Sequence, residues 1–173
     1  HLVLPGIVDI HGDGFERHLA PRRGAMDSLT AGLAGLDAEL GANGITTAVV
    51  AQFFSWEGGM RGPDFAEALA DALAATPMRA WTLMQLRLET GMIDDFGRAL
   101  SLIEQARISY VVLNDHLPHR ELAAGKRPPN LTGQALKARR SPDAHWRLLQ
   151  EMHDRKAEVP AALAGLCAEL RKR

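Results

Sequence analysis

The chain has 173 residues, 46% of them hydrophobic, and its 20 basic and 21 acidic residues leave a net charge of −1. That apolar content suffices for one cored domain, residues 1–173, and excludes a disordered tail. The balanced charge excludes a strongly basic nucleic-acid binder.

The sequence opens at His1 almost directly on a strand motif, so the natural N-terminus is expected to lie upstream. Ile7 to Ile10 reads as the first strand, closing on His11-Gly12-Asp13-Gly14. Side chains alternate along a strand, so His11 and Asp13 are expected to project the same way at its tip. An imidazole and a carboxylate so placed are either half of a divalent-metal site or a polar turn; spacing alone leaves both open. Phe15 to Gly24 follows as a loop carrying Arg17, His18, Arg22 and Arg23. Arginines there suit phosphate oxygens by bidentate hydrogen bonding, or form a solvated charged loop.

Asp27 or Ser28 is expected to cap a helix to about Leu40 with Leu29, Leu33, Leu36 and Leu40 as its apolar stripe, stopped by Gly41 and Gly44. Ile45 to Val50 is a nearly all-apolar strand of the kind buried in parallel sheets. Gln52 to Gly62 reads as a loop, with Trp56, Phe53 and Phe54 as core or pocket wall. Pro63 opens a helix to Ala75. Ala80 to Leu88 is the third strand with Glu89 at its tip, a helix runs from Asp94 or Asp95 to near Ala106, and Ser109 to Leu113 is the fourth strand. A polar loop, His119 to Asn130, then leads to helices over 131–139, 142–155 and 159–171. His145 and His153 are expected on the surface, His119 in an exposed loop, Cys167 in the core, and Arg139-Arg140 at a helix end complementing its dipole.

Strands alternating with helices imply a parallel sheet with helical crossovers. Polar residues recur at three strand tips (His11/Asp13, Glu89, Asp115/His116), where a TIM barrel builds its active site, and the first turn lacks a G-x-G-x-x-G fingerprint. The fold class is therefore α/β, a partial (β/α)8 TIM-type barrel of about four βα units plus extra C-terminal helices. Cys167 is the single cysteine, which points to a reducing, cytoplasmic setting. No apolar stretch approaches the ~20 residues that cross a bilayer, so no membrane partner is expected.

Pro5-Gly6-Ile7-Val8-Asp9-Ile10-His11 resembles the first barrel strand of the amidohydrolase superfamily, in which a His-x-His pair commonly binds metal. With Asp13 in the second place, the pattern is similar to the phosphonate-metabolism branch, the ribose 1-methylphosphonate 5-triphosphate diphosphatase family. Asn43-Gly44-Ile45-Thr46-Thr47, Leu86-Arg87-Leu88-Glu89-Thr90 and Leu113-Asn114-Asp115-His116-Leu117-Pro118 follow in that family's order. The resemblance spans essentially the whole chain and matches the N-terminal half of such an enzyme. Gly14 stands where Asn is expected, and Gln85 where His is expected.

The resemblance implies a metal-dependent hydrolase releasing pyrophosphate from a ribose 1-methylphosphonate 5-triphosphate-like substrate in phosphonate catabolism. Its metal ligands would be His11, Asp13 and Glu89, holding Zn²⁺, Mn²⁺ or Fe²⁺. Asp115, His116, Arg17 and Arg22 would bind the phosphorylated substrate; no catalytic base is assigned. The alternatives are a divergent amidohydrolase acting on a cyclic amide or amidine, and a non-catalytic half-barrel that works by association. A homo-oligomer, or completion by a missing C-terminal half, is expected, and this chain alone is expected to be inert. Without a metal, the expected reason for a charge at Glu89 is an ion pair with Arg87, Arg17 or Arg98.

Overall fold

The computed structural model describes residues 3–19 and 28–172. Four parallel strands form one sheet in the order β1 (Ile7–Gly12), β2 (Ile45–Phe54), β3 (Trp81–Glu89), β4 (Tyr110–Asn114). Curled into a half-barrel, the sheet confirms the α/β, βα-barrel-like architecture. The helices are α1 (Glu16–Leu19), α2 (Leu29–Ala42), α3 (Pro63–Ala75), α4 (Phe96–Gln105), α5 (His119–Ala123), α6 (Leu131–Lys137), α7 (Pro142–Asp154) and α8 (Val159–Leu170).

Local signals place several boundaries. Ser28 caps α2, its hydroxyl accepting from the Ala31 N–H at 3.0 Å. The helix passes through Gly41 and stops at Asn43, after which Gly44 turns into β2 at φ +72°, a conformation other residues adopt only with strain. Pro63 begins α3, where its missing N–H costs no helical bond.

Each strand has an outer face against helices and an inner face turned from them. On β2 and β3 the outer set is Ala48, Val50, Phe54, Met84, Leu86 and Leu88. These pack with Leu33, Leu36 and Leu40 of α2, Ala66 and Leu69 of α3, and Ala99, Leu102 and Ile103 of α4. Leu166 of α8 closes the same core. Fully buried leucines such as Leu33 and Leu69 contribute about 1.5–3 kcal/mol each. A second cluster joins Trp56, Leu117, Leu122, Leu131, Trp146, Leu149 and Met152, seating α5 to α7 on the segments that follow β2 and β4.

Five expectations need correction. The segment from Phe15 is not wholly loop, since α1 lies within it and buries Leu19. β2 runs on to Phe54 rather than giving way to a loop at Gln52. The Gln52 amide reaches the carbonyls of Phe53 (2.7 Å) and Met60 (2.9 Å), which lets a polar side chain stay buried in the strand. His119 to Asn130 is not wholly loop, since α5 opens it and buries Leu122. His145 and His153 are buried rather than on the surface, because both lie on the face of α7 that packs inward with Trp146, Leu149 and Met152. Arg140 does more than complement a helix end: its guanidinium donates to the Trp56 carbonyl at 2.6 Å, tying α6 and α7 to the segment after β2. Cys167 is half-buried beside Leu166.

One polar contact links the outer layer to the sheet. Asp37 of α2, 7% exposed, accepts from the backbone N–H groups of Arg79 (2.9 Å) and Ala80 (3.0 Å) and from the Arg79 guanidinium (2.8 Å). Burial alone would raise its carboxyl, but the Ala80 N–H and the Arg79 groups outweigh it and hold the pKa below the ordinary range. Asp37→Ala leaves the buried Ala80 N–H unpaired and is expected to cost about 1–3 kcal/mol. Urea unfolding tests this: the midpoint should fall in Asp37→Ala and recover partly in Asp37→Asn. An unchanged midpoint in Asp37→Ala would refute the anchoring role.

Candidate functional site

The C-terminal ends of β3 and β4 bring two of the expected residues together. Glu89 is fully buried at the end of β3, opposite Asn114 of β4. One carboxylate oxygen accepts from the His116 backbone N–H at 3.0 Å, and the other lies 2.5 Å from Nδ1 of the same residue. The Thr90 N–H donates to the Asn114 carbonyl at 2.8 Å and holds the two strand ends level. A buried carboxylate needs such partners to stay charged. None of the three arginines expected there supplies them: Arg17 pairs with Glu39, Arg98 with Glu67 and Asp64, and Arg87 lies elsewhere. The imidazole in turn stands 6.0 Å from the Phe53 ring.

Below Glu89, alternation puts Arg87 and Gln85 on the same inner face of β3, beside Phe53 and Ala51 of β2. The Arg87 guanidinium carbon lies 3.8 Å from the Phe53 ring centroid, and that of Arg61 lies 4.4 Å away. Arg61 is balanced by Glu57 and Glu16; no carboxylate pairs with Arg87 among the described residues. Gln85 has no exposed surface and both of its amide atoms lack a partner; Arg87 Nε and Asn114 Oδ1 are likewise buried and unpaired. The residue pattern left Gln85 and Asn114 out of the expected site. Their signal was present, since Gln85, Arg87 and Glu89 interleave with the apolar Met84, Leu86 and Leu88.

Asp115 and His116 diverge. His116 turns back to Glu89, whereas Asp115 faces α5 and meets His119 Nε2 at 2.9 and 3.0 Å. Beyond it, His119 Nδ1 is 3.0 Å from His153 Nδ1, and Lys156 Nζ is 3.2 Å from His153 Nε2. An ammonium only donates, so His153 Nε2 accepts and Nδ1–H donates to His119, whose Nε2–H donates to Asp115. His153 enters this relay as a neutral imidazole.

The first strand contributes less than expected. Its ladder with β2 advances three residues, Asp9 to Gly12, while β2 advances two, Ala48 to Val50, so the alternation breaks just before the strand tip. His11 is exposed and its N–H donates to Asp9 Oδ1 at 3.1 Å; Asp13 is exposed beyond the strand, its carbonyl receiving the Glu16 N–H. Among the described residues, no three His, Cys, Asp or Glu side chains form a group that could hold a metal ion. His11, Asp13 and Glu89 as placed therefore do not make up a ligand set. Arg17 is drawn to Glu39 on the outer side, Arg127 to Asp143, and Arg22 lies outside the described residues. A separate cleft between α3, α7 and the turn after β3 is rimmed by the pairs Arg98–Asp64 and Arg155–Asp94, which neutralise it.

Compared with protein-family models, curated proteins and solved structures, the chain matches none.

The buried histidines set an acid limit on stability. Burial first, then Lys156 and His119, hold His153 below its ordinary 6.5, and burial with Arg140 does the same for His145. A depressed imidazole binds fewer protons folded than unfolded. Its stabilisation is therefore full above pH 6.5 and lost as pH falls from 6.5 toward the folded pKa. Urea midpoints should decline from pH 7.5 to 5.5, less steeply in His153→Gln. A flat or rising trend in the parent chain would refute the neutral relay.

Proposed function

We propose that the chain supplies part of the active-site face of a metal-dependent hydrolase acting on a phosphorylated small molecule, of the ribose 1-methylphosphonate 5-triphosphate kind, with release of pyrophosphate. One observation carries the reading. In a curled parallel sheet, polar side chains gather at the C-terminal strand ends on the inner face (Glu89, His116 and Asn114), which is where barrels of this type do chemistry. His11 and Asp13, an imidazole and a carboxylate at the end of β1 on the far side of β2, have the donor chemistry for half of a divalent-ion site. A resident metal would polarise a phosphoryl oxygen and lower the pKa of bound water. Glu89, held by His116, fits a role fixing that histidine's orientation better than a place beside His11. Gln85 in place of histidine leaves a cyclic amide or amidine as an alternative substrate class.

Equilibrium dialysis against Mn²⁺ or Zn²⁺ with elemental analysis tests the half-site. With two of the usual three or more protein ligands, the parent chain should hold metal loosely, and His11→Ala and Asp13→Ala should each lower the amount bound without changing the far-UV circular dichroism. Equal metal in all three would overturn the assignment. Catalytic sites usually combine three protein ligands with an open position, so the chain alone is expected to be inert. Metal-dependent pyrophosphate release at roughly 1 s⁻¹ or faster would contradict that.

A second reading has its own observation. Ile7, Val8 and Ile10 of edge strand β1 are each more than half exposed, and Trp81 is 67% exposed. A sheet edge with such residues suits association with another polypeptide.

A further inference from the structure

The inner face of β3 and β4 holds three polar groups that the fold leaves unused. Gln85 is fully buried with both amide atoms unpartnered, Arg87 is a cation without a carboxylate among the described residues, and Asn114 Oδ1 is buried and unpaired. Each works against folding, since an amide or guanidinium removed from water without a partner destabilises the native state. Their neighbours do not explain them. Glu89 spends both oxygens on His116, and Phe53 offers Arg87 only its ring. Register puts the three on one patch: Gln85 and Arg87 sit two residues apart on β3, and Asn114 stands opposite Glu89, next along the same face.

We infer that this patch binds a small oxyanion that also carries hydroxyl groups, with the anionic head on Arg87 and the hydroxyls on Gln85 and Asn114. Arg87 supplies a planar fork of N–H donors suited to phosphate or carboxylate oxygens, and the Phe53 ring holds that fork flat. Gln85 offers one donor and one acceptor, and Asn114 Oδ1 one acceptor, which is the complement of a polyol. The inference names a ligand class for the same face as the proposed hydrolase, yet it requires neither metal nor turnover.

The test is a titration of the isotopically labelled chain in the presence of a chelator, following the Gln85 and Asn114 side-chain amide signals, assigned by substitution. Glycerol 3-phosphate should shift both signals, and glycerol alone should not. Glycerate in place of glycerol 3-phosphate separates a carboxylate site from a phosphate site. Arg87→Lys keeps the charge but loses the fork, and should weaken binding roughly tenfold. Arg127→Gln, on the surface pair with Asp143, should leave it unchanged. Gln85→Met removes both unpaired amide atoms at similar volume. It should raise the urea midpoint while weakening binding, an opposition that a merely structural glutamine would not produce. Absence of shifts up to roughly 10 mM of either anion, or a lowered midpoint in Gln85→Met, would overturn the inference. Since the chelator removes metal, failure of the metal assignment leaves this result standing, and failure here leaves the metal test untouched.

Discussion

The alternation of β3 is the constraint from which the remaining arrangement follows. Residues Thr47 to Phe54 of β2 pair with it in unbroken register on one side, and Tyr110 to Asn114 of β4 on the other. A strand flanked on both sides has no freedom to slip, because a one-residue shift would exchange Met84, Leu86 and Leu88 for Gln85, Arg87 and Glu89 against the helices. The core under α2, α3 and α4 thus exists only in the register that also gathers the polar groups on the inner face. Packing and site are two consequences of one pairing.

Much of this was legible in the residues. The four strands, the crossover helices and the capping Ser28 follow from local signals that require no partner. What escaped depended on distant contacts. Gln52 reads as a loop residue until the Met60 carbonyl comes within reach, and His145 and His153 read as surface residues until α7 packs on Trp56 and Leu117. The Glu89–His116 contact joins residues 27 apart, and neither member announces the other. The break in β1 was least accessible, because an extra residue in a strand leaves no mark in its composition.

The contrast between the outer and inner faces bears on what the protein is for. On the outer face Asp37 is matched by Arg79 and Ala80, and the buried atoms without a partner elsewhere, Thr76 Oγ1, Trp56 Nε1 and His145 Nε2, stand one to a residue and on separate segments. The inner face leaves at least one unpaired atom on Gln85, Arg87 and Asn114. Stability alone would favour apolar replacements at those positions. Where three such residues gather along two paired strands, that stretch is the part answerable to something other than folding.

The irregular pairing of β1 has a further effect on how the molecule meets its own kind. Three exposed branched residues on an open strand edge are ordinarily an invitation to fibril-like stacking. Here the ladder shifts twice within six residues, between Ile7 and Val8 and again between Asp9 and Gly12. A docking strand would find its hydrogen-bond rhythm interrupted before it could lengthen. The edge is sticky but a poor template, which favours a single shaped contact over endless growth.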